Sequence, residues 1–243
     1  IMHGISVITT LFNYTHYVED CIKSFLRQED PGVPIEHIIV DDCSTDNPKK
    51  VLDKYNNKNI RCFYLDHNSG YSAAKNYGIK KSKYDVIVMI DADDWLTNDS
   101  LKIRYGKLTS KKLDFVHGGA YMIKGGKNAG VSPQMKMWRQ EKKSNRRWRH
   151  IHAQGVMLKK KIHSEVGLYD ETMTCKSDRE MWARIFNRGY RIGSVKKPVA
   201  FYRCHGRQMH RSKWKAKNNK KLTADMEVKI KRRAKDLGDV EML

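Results

Sequence analysis

Three short runs of aliphatic, largely β-branched residues each break off in polar side chains, and this repeated ending narrows what the chain can fold into. Ile5-Ser6-Val7-Ile8 stops at Thr9-Thr10, His37-Ile38-Ile39-Val40 at Asp41-Asp42, and Val86-Ile87-Val88-Met89-Ile90 at Asp91-Ala92-Asp93-Asp94. Runs of this length and composition read as buried strands. Between them the period changes. Tyr17, Val18, Cys21, Ile22, Phe25 and Leu26 recur at helical spacing, and Val51, Leu52 and Tyr55 do so behind Pro48, which suits a first helical turn. Strand and helix alternate, which predicts an α/β chain with a parallel sheet and helices on its faces. In such sheets ligands bind beyond the carboxyl ends of the strands, where the polar clusters fall.

The last of these endings carries the most chemistry. Alternation along an extended backbone would put Asp91 and Asp93 on one face, offering two oxygens to a hard cation that could hold a diphosphate. Acidic residues after a strand also serve as plain caps, and Asp93 or Asp94 could do so ahead of Trp95-Leu96. A further strand is expected at Ile60 to Leu65, followed by Asn68-Ser69-Gly70 and a small-residue helix that reaches Gly78. Backbone amides and Lys75 could face a phosphate there, although Ala73 and Ala74 equally mark a helix packed tightly on a sheet. Gly125-Gly126, Gly130 and Pro133 are read as a loop, a lid or an acceptor-facing insertion.

In the second half, Ser177 and Glu180 are spaced as a capping box, with Met181, Trp182, Ile185 and Phe186 as the buried face of the helix they open. Asp178 then lies in the first turn. It either complements the helix dipole or acts as a general base. His205 follows an expected strand and is either a structural histidine or a metal ligand.

A chain of 243 residues suits one α/β domain with a tail. Neither a membrane-spanning apolar stretch nor a signal segment is expected. Cys21, Cys43, Cys62, Cys175 and Cys204 are scattered, so neither a zinc site nor a disulfide framework is expected, and a reducing compartment is. The charge is less ordinary: 48 Lys+Arg against 27 Asp+Glu give a formal +21, which calls for an anionic partner. Lys136, Arg139, Lys142, Lys143, Arg146, Arg147 and Arg149 surround Trp138 and Trp148, and Arg211 to Lys235 is equally dense in cations. Both stretches could touch a polyanion or serve only as solvated faces.

Together these residues resemble a glycosyltransferase family 2 member with the GT-A fold, a Rossmann-like mixed sheet flanked by helices. Ser6-Val7-Ile8-Thr9-Thr10-Leu11-Phe12-Asn13 is similar to the family's opening nucleotide-binding strand, and Val40-Asp41-Asp42-Cys43-Ser44-Thr45-Asp46 to its V-D-D-x-S-x-D segment. Asn68-x-Gly70 with Ala74-Lys75-Asn76-x-Gly78 resembles N-x-G…A-R-N-x-G, with lysine for arginine. Asp91-Ala92-Asp93 resembles the D-x-D metal motif, Ser177-Asp178 stands where the family shows Glu-Asp, and Tyr202-Arg203-x-His205 resembles its late Y-R-x-H.

The resemblance implies an inverting transferase of hexosyl or N-acetylhexosaminyl groups. A nucleotide-sugar, expected to be a UDP-sugar, would contact Thr10, Phe12, Asp42, Asn68, Gly70, Lys75 and Asp91. Mg2+ or Mn2+ would be held by Asp93 with Asp91, Asp94 or His205, and Asp178 would be the catalytic base. The acceptor is expected to be a hydroxyl on a glycan, with an anionic glycan, a teichoic acid or modified DNA in view. The rival reading is a catalytically idle GT-A domain that binds nucleic acid or another polyanion. The domain is expected at 1–210, with a nucleotide-sugar half at about 1–115, an acceptor half at about 116–210 and a basic helical tail at 211–243. The expected location is the cytoplasm, with contact to anionic membrane at the inner face.

Overall fold

The computed structural model describes residues 2–140, 150–174, 176–206, 208, 228, 229 and 232. The chain runs β1 (Met2–Leu11), α1 (Thr15–Leu26), β2 (Ile35–Asp41), α2 (Lys49–Leu52), β3 (Ile60–Tyr64), α3 (Tyr71–Lys81), β4 (Tyr84–Asp91) and β5 (Trp95–Leu96). It continues through α4 (Ser100–Ser110), β6 (Phe115–Lys124), β7 (Lys127–Val131), α5 (Pro133–Gln140), β8 (Val156–Lys159), α6 (Lys161–Val166), α7 (Ser177–Asn187) and β9 (Ile192–Cys204). The nine strands among the described residues join one sheet in the order β3-β2-β1-β4-β8-β6-β9-β5, with β7 paired to β6.

The first four strands in that order are mutually parallel, as the strand-helix alternation predicts. The sheet becomes mixed beyond β4: β8 runs antiparallel to β4 and β6, β9 is parallel to β6, and β5 is antiparallel to β9. β1 lies between β2 and β4, so the connections leave it in opposite directions and open a crevice at their carboxyl ends. Register brings the polar endings level, Thr10 opposite Asp91 and Leu11 opposite Asp41.

Alternation along these strands feeds two cores. Ile5, Val7, Leu11, Val88 and Ile90 face α1 and α4, where Val18, Ile22, Phe25, Leu101 and Leu108 meet them. Ile8, Ile38, Val40, Ile87 and Met89 face the other way, onto Ala74 and Ile79 of α3 and Met181, Trp182 and Ile185 of α7. Burying one such Ile side chain contributes about 1.5–3 kcal/mol. The small residues of α3 are there for close approach: a Cβ on Gly78 would sit 2.4 Å from Ile8 Cγ2.

Four local expectations need correction. Leu26 is 55% exposed, because α1 ends there and the residue lies outside its buried stripe. The glycine-rich segment at 125–130 is a β-hairpin rather than an irregular loop, since Gly125 and Gly126 take the successive left-handed φ values (54° and 76°) that a tight two-residue turn requires. Trp95-Leu96 forms a short strand instead of a turn or helix start. The capping box at α7 does not form: the N-cap is Lys176, in the left-handed region, and Glu180 is committed to Arg184.

Cys21, Cys43, Cys62 and Cys204 are free thiols, and Cys175 lies outside the described residues. No helix among the described residues is long and apolar enough to cross a membrane. The basic stretch at 141–149 and the 211–243 tail, apart from 228, 229 and 232, also lie outside the described residues, as do the side chains of Lys136, Trp138 and Arg139.

Candidate active site

β4 stops at Asp91, and the chain turns at once, with the Asp94 amide donating to the Asp91 carbonyl at 3.1 Å. Asp91 and Asp93 therefore meet through a turn and not, as strand alternation suggested, on one face of an extended segment. The result is tighter than alternation would give. Carboxylate oxygens of Asp91, Asp93 and Asp94 all lie within 4.8 Å of one another, and Asp93 and Asp94 are buried.

Three carboxylates so close repel each other where little water can screen them. Burial pushes the Asp91 carboxyl up to about 6; Lys75 opposes that rise, while Asp93 and Asp178 add to it. Burial, then Asp93 and Asp91, raise Asp94 well above the usual carboxylate range. Asp94 Oδ1 accepts the Arg203 amide at 2.8 Å, but its buried Oδ2 has no hydrogen-bond partner among the described residues. His205 Nε2 lies 2.9 Å from Asp93 Oδ2, with its ring packed on Tyr14 and Tyr17. Clustered oxygens, one of them orphaned, with an imidazole at hand form a donor set that fits a hard divalent cation.

Asp178 stands across from this cluster in the first turn of α7, 22% exposed. Its Oδ1 is 2.6 Å from Lys75 Nζ. Lys75 comes from α3 and is 2% exposed, so its ammonium is turned inward onto Asp178. The ring of Tyr71 covers that ammonium at 3.9 Å and the ring of Tyr169 at 4.9 Å. The Tyr71 hydroxyl then donates to Asp91 Oδ1 at 2.8 Å, and Gln154 Nε2 donates to Asp91 Oδ2 at 2.5 Å. Burial, then the charges of Asp178 and Asp91, push the Tyr71 phenol well above its ordinary pKa, so it stays a donor.

The rim of the crevice is built from loops. Asp42 is 3% exposed and accepts the backbone amides of Ser69 and Gly70 at 2.7 and 2.8 Å, so it holds the Asn68–Gly70 turn against β2. Gly70 needs its φ of +90° to enter α3. Thr10, the penultimate residue of β1, pairs with Asp91, and Phe12, 43% exposed, and the exposed Asn68 stand on the same rim. The structure thus gathers every residue expected at the site at one end of the sheet, Asp178 and Lys75 on one flank and His205 on the other.

Sequence reasoning missed Tyr71, Gln154, Tyr169 and Arg203. Tyr71 was within reach, one helical turn before Lys75 and on the same face. Arg203 stands inside the Tyr202-Arg203-x-His205 segment. Its Nε donates to the Asp93 carbonyl at 3.0 Å, a terminal nitrogen donates to Asp20 at 2.6 Å, and the guanidinium lies over the rings of Tyr17 and Trp95. Gln154 and Tyr169 have no sequence signal, because only the tertiary fold brings them in.

The family model described as glycosyl transferase family 2 matches residues 6–166, more than half of the chain. The chain belongs to this family. This family 2 glycosyltransferase is 26% identical over 218 residues to a Bacillus subtilis protein named as the teichuronic acid biosynthesis glycosyltransferase TuaG, covering 87% of this chain and 83% of that one. It is 32% identical over 103 residues to the poly(ribitol-phosphate) β-N-acetylglucosaminyltransferase TarS of Staphylococcus aureus, but those residues are 42% of this chain and only 18% of TarS.

The crystal structure of S. aureus TarS residues 1–349 in complex with UDP-GlcNAc superposes with a TM-score of 0.73 at 20% identity, covering 87% of this chain and 61% of that one. GalNAc-T7 with UDP, GalNAc and Mn2+ gives 0.67 at 17% identity, covering 84% and 44%. At such identities the likeness establishes the fold. The GT-A architecture expected from the motifs is the one observed.

Proposed function

We propose that this glycosyltransferase moves a sugar from a UDP-sugar to an acceptor hydroxyl with inversion, using Asp178 as general base. One observation carries the reading: the acidic turn at Asp91–Asp94 and the Lys75–Asp178 pair face each other across the strand ends, joined by Tyr71. UDP and UDP-GlcNAc in the TarS complexes support the donor class.

The uridine would lie along the rim formed by Thr10, Phe12 and Asn68, with Asp42 keeping the Asn68–Gly70 turn in place. Mg2+ or Mn2+, held by Asp93 with Asp91, Asp94 and His205, would supply the positive charge that a leaving diphosphate needs. Asp178 would accept the proton of the acceptor hydroxyl as that oxygen attacks the anomeric carbon and the bond from carbon to diphosphate breaks. One displacement inverts the configuration. Lys75 fixes the carboxylate's aim through Oδ1.

The names of TuaG and TarS, with the formal charge of +21, favour an anionic cell-wall glycan as acceptor. Residues 1–210 would form the transferase domain, donor half then acceptor half, with the basic tail attaching it to the inner face of the cytoplasmic membrane. An idle polyanion-binding module is disfavoured, since it has no use for buried, mutually repelling carboxylates.

The test is UDP release from UDP-GlcNAc, together with calorimetric binding of that donor, with and without Mn2+. Chelation or Asp93→Asn should abolish both. Wild-type rates under either perturbation would overturn the metal assignment.

A further inference from the structure

We infer that Tyr71 is a positioning residue that couples the two ends of the site, holding Asp91 through its hydroxyl and Asp178 through Lys75. The inference rests on the function proposed above, in which Asp91 serves the donor and Asp178 the acceptor.

The placement of this side chain is set by backbone. Tyr71 is the first residue of α3, and the turn before it is fixed by the two amide bonds to Asp42 and by the left-handed Gly70. Lys75 follows four residues later, so ring and ammonium share one helix face. The ammonium is 3.9 Å from the ring centroid, and at 2% exposure it has little water to fall back on. Its aim at Asp178, 2.6 Å away, is therefore set by the rings of Tyr71 and Tyr169 that enclose it. The phenol oxygen, at the far end of the same ring, is 2.8 Å from Asp91 Oδ1.

One side chain thus does two separable things. The hydroxyl orients the donor-side carboxylate, and the π face orients the cation that orients the base. Tyr71→Phe removes the first and keeps the second. Tyr71→Leu removes both. Gln154→Met strips the other hydrogen bond from Asp91 and should copy the phenylalanine variant.

The experiment uses the full chain with UDP-GlcNAc and Mn2+, reading donor Kd by calorimetry, KM and kcat for UDP release to water, and Tm. Tyr71→Phe and Gln154→Met should raise donor Kd and KM about 10-fold or more, the usual loss for a hydrogen bond to a charged group, with kcat within about 3-fold of wild type. Tyr71→Leu should raise Kd alike and lower kcat by about a further 10-fold. If the leucine variant does not fold, Tyr71→Met provides that arm, since it too lacks both the hydroxyl and the π face, and should raise Kd and lower kcat as leucine would.

A purely structural tyrosine would move kcat and Kd together, in step with Tm. Equal effects of phenylalanine and leucine on kcat, or an unchanged Kd in Tyr71→Phe, would overturn the coupling while leaving the enzyme reading intact. Wild-type protein that neither binds UDP-GlcNAc nor releases UDP would overturn that reading and the coupling with it.

Discussion

Replacing Arg184 with methionine tests how the Asp178 side of the site is held. All five N–H donors of this guanidinium are used: Nε and one terminal nitrogen bond the Glu180 carboxylate at 2.7 Å each, and the remaining donors reach the carbonyls of Val166 (2.5 Å), Gly167 (3.2 Å) and Leu168 (2.9 Å). Arg184 is 5% exposed and Glu180 1%. Methionine keeps most of the packing volume but leaves a buried carboxylate without its cation, which costs about 3–5 kcal/mol. For a protein of this size that is a fall in Tm of about 6–20 °C. The assay is urea denaturation followed by tryptophan fluorescence, since Trp182 is buried two residues away. Adding Glu180→Met should restore part of the loss, because no orphan charge then remains. A single variant that loses less than about 1 kcal/mol, or a double variant no better than the single, would refute the reasoning. The bond to Leu168 also anchors the segment entering Tyr169, so the single variant should lower kcat through the Lys75 enclosure.

Asp178→Asn keeps an oxygen for Lys75 but takes the counter-charge from that buried ammonium, so stability should fall by up to about 3–5 kcal/mol. UDP release by the folded variant should fall by about 10²–10⁴-fold; near-normal turnover would show that Asp178 is a structural partner of Lys75 and not the base. His163 is held neutral by burial, its pKa lowered from 6.5 to about 3, with Arg184 adding to the shift. The unfolded chain therefore binds this proton first, and the stability His163 allows is complete above about pH 6.5 and lost as pH falls toward 3. Asp91 and Asp94, raised by burial, act in the opposite sense. The measurement is accordingly a difference: between pH 6.5 and 4, His163→Leu should show a stability slope shallower than wild type by about 1.4 kcal/mol per pH unit, and equal slopes would contradict the neutral assignment.

The parallel half of the sheet was legible because β1, β2 and β4 bury both faces, so their runs are dense in Val and Ile and their polar endings conspicuous. The identity of the acidic cluster was legible too, but its geometry was not. Strand periodicity cannot say where a strand stops, and β4 stops at Asp91, two residues short of Asp93. β7 was hidden for a different reason: Lys127–Val131 is exposed throughout and has no apolar face to alternate. At α7 the capping box failed to a competitor visible in the sequence, Arg184 one turn after Glu180, whose charge outbids a backbone amide. Gln154 and Tyr169 meet Asp91 and Lys75 from 63 and 94 residues away, a distance over which local pattern carries no information.

The pairing of β4 with β1 on one edge and β8 on the other has a consequence for traffic. Enzymes made of two hinged lobes can part, admit a long polymer and shut on it. Here the ladder through Val86, Ile87 and Val88 leaves no seam between the half that carries Asp42 and the half that carries Asp178. On the function proposed above, a polymeric acceptor would approach from beyond the strand ends and lie across the rim with its two ends in solvent. In that layout a hydroxyl in mid-chain would be as accessible as one at a terminus, and the product would slide off sideways while the frame stays still.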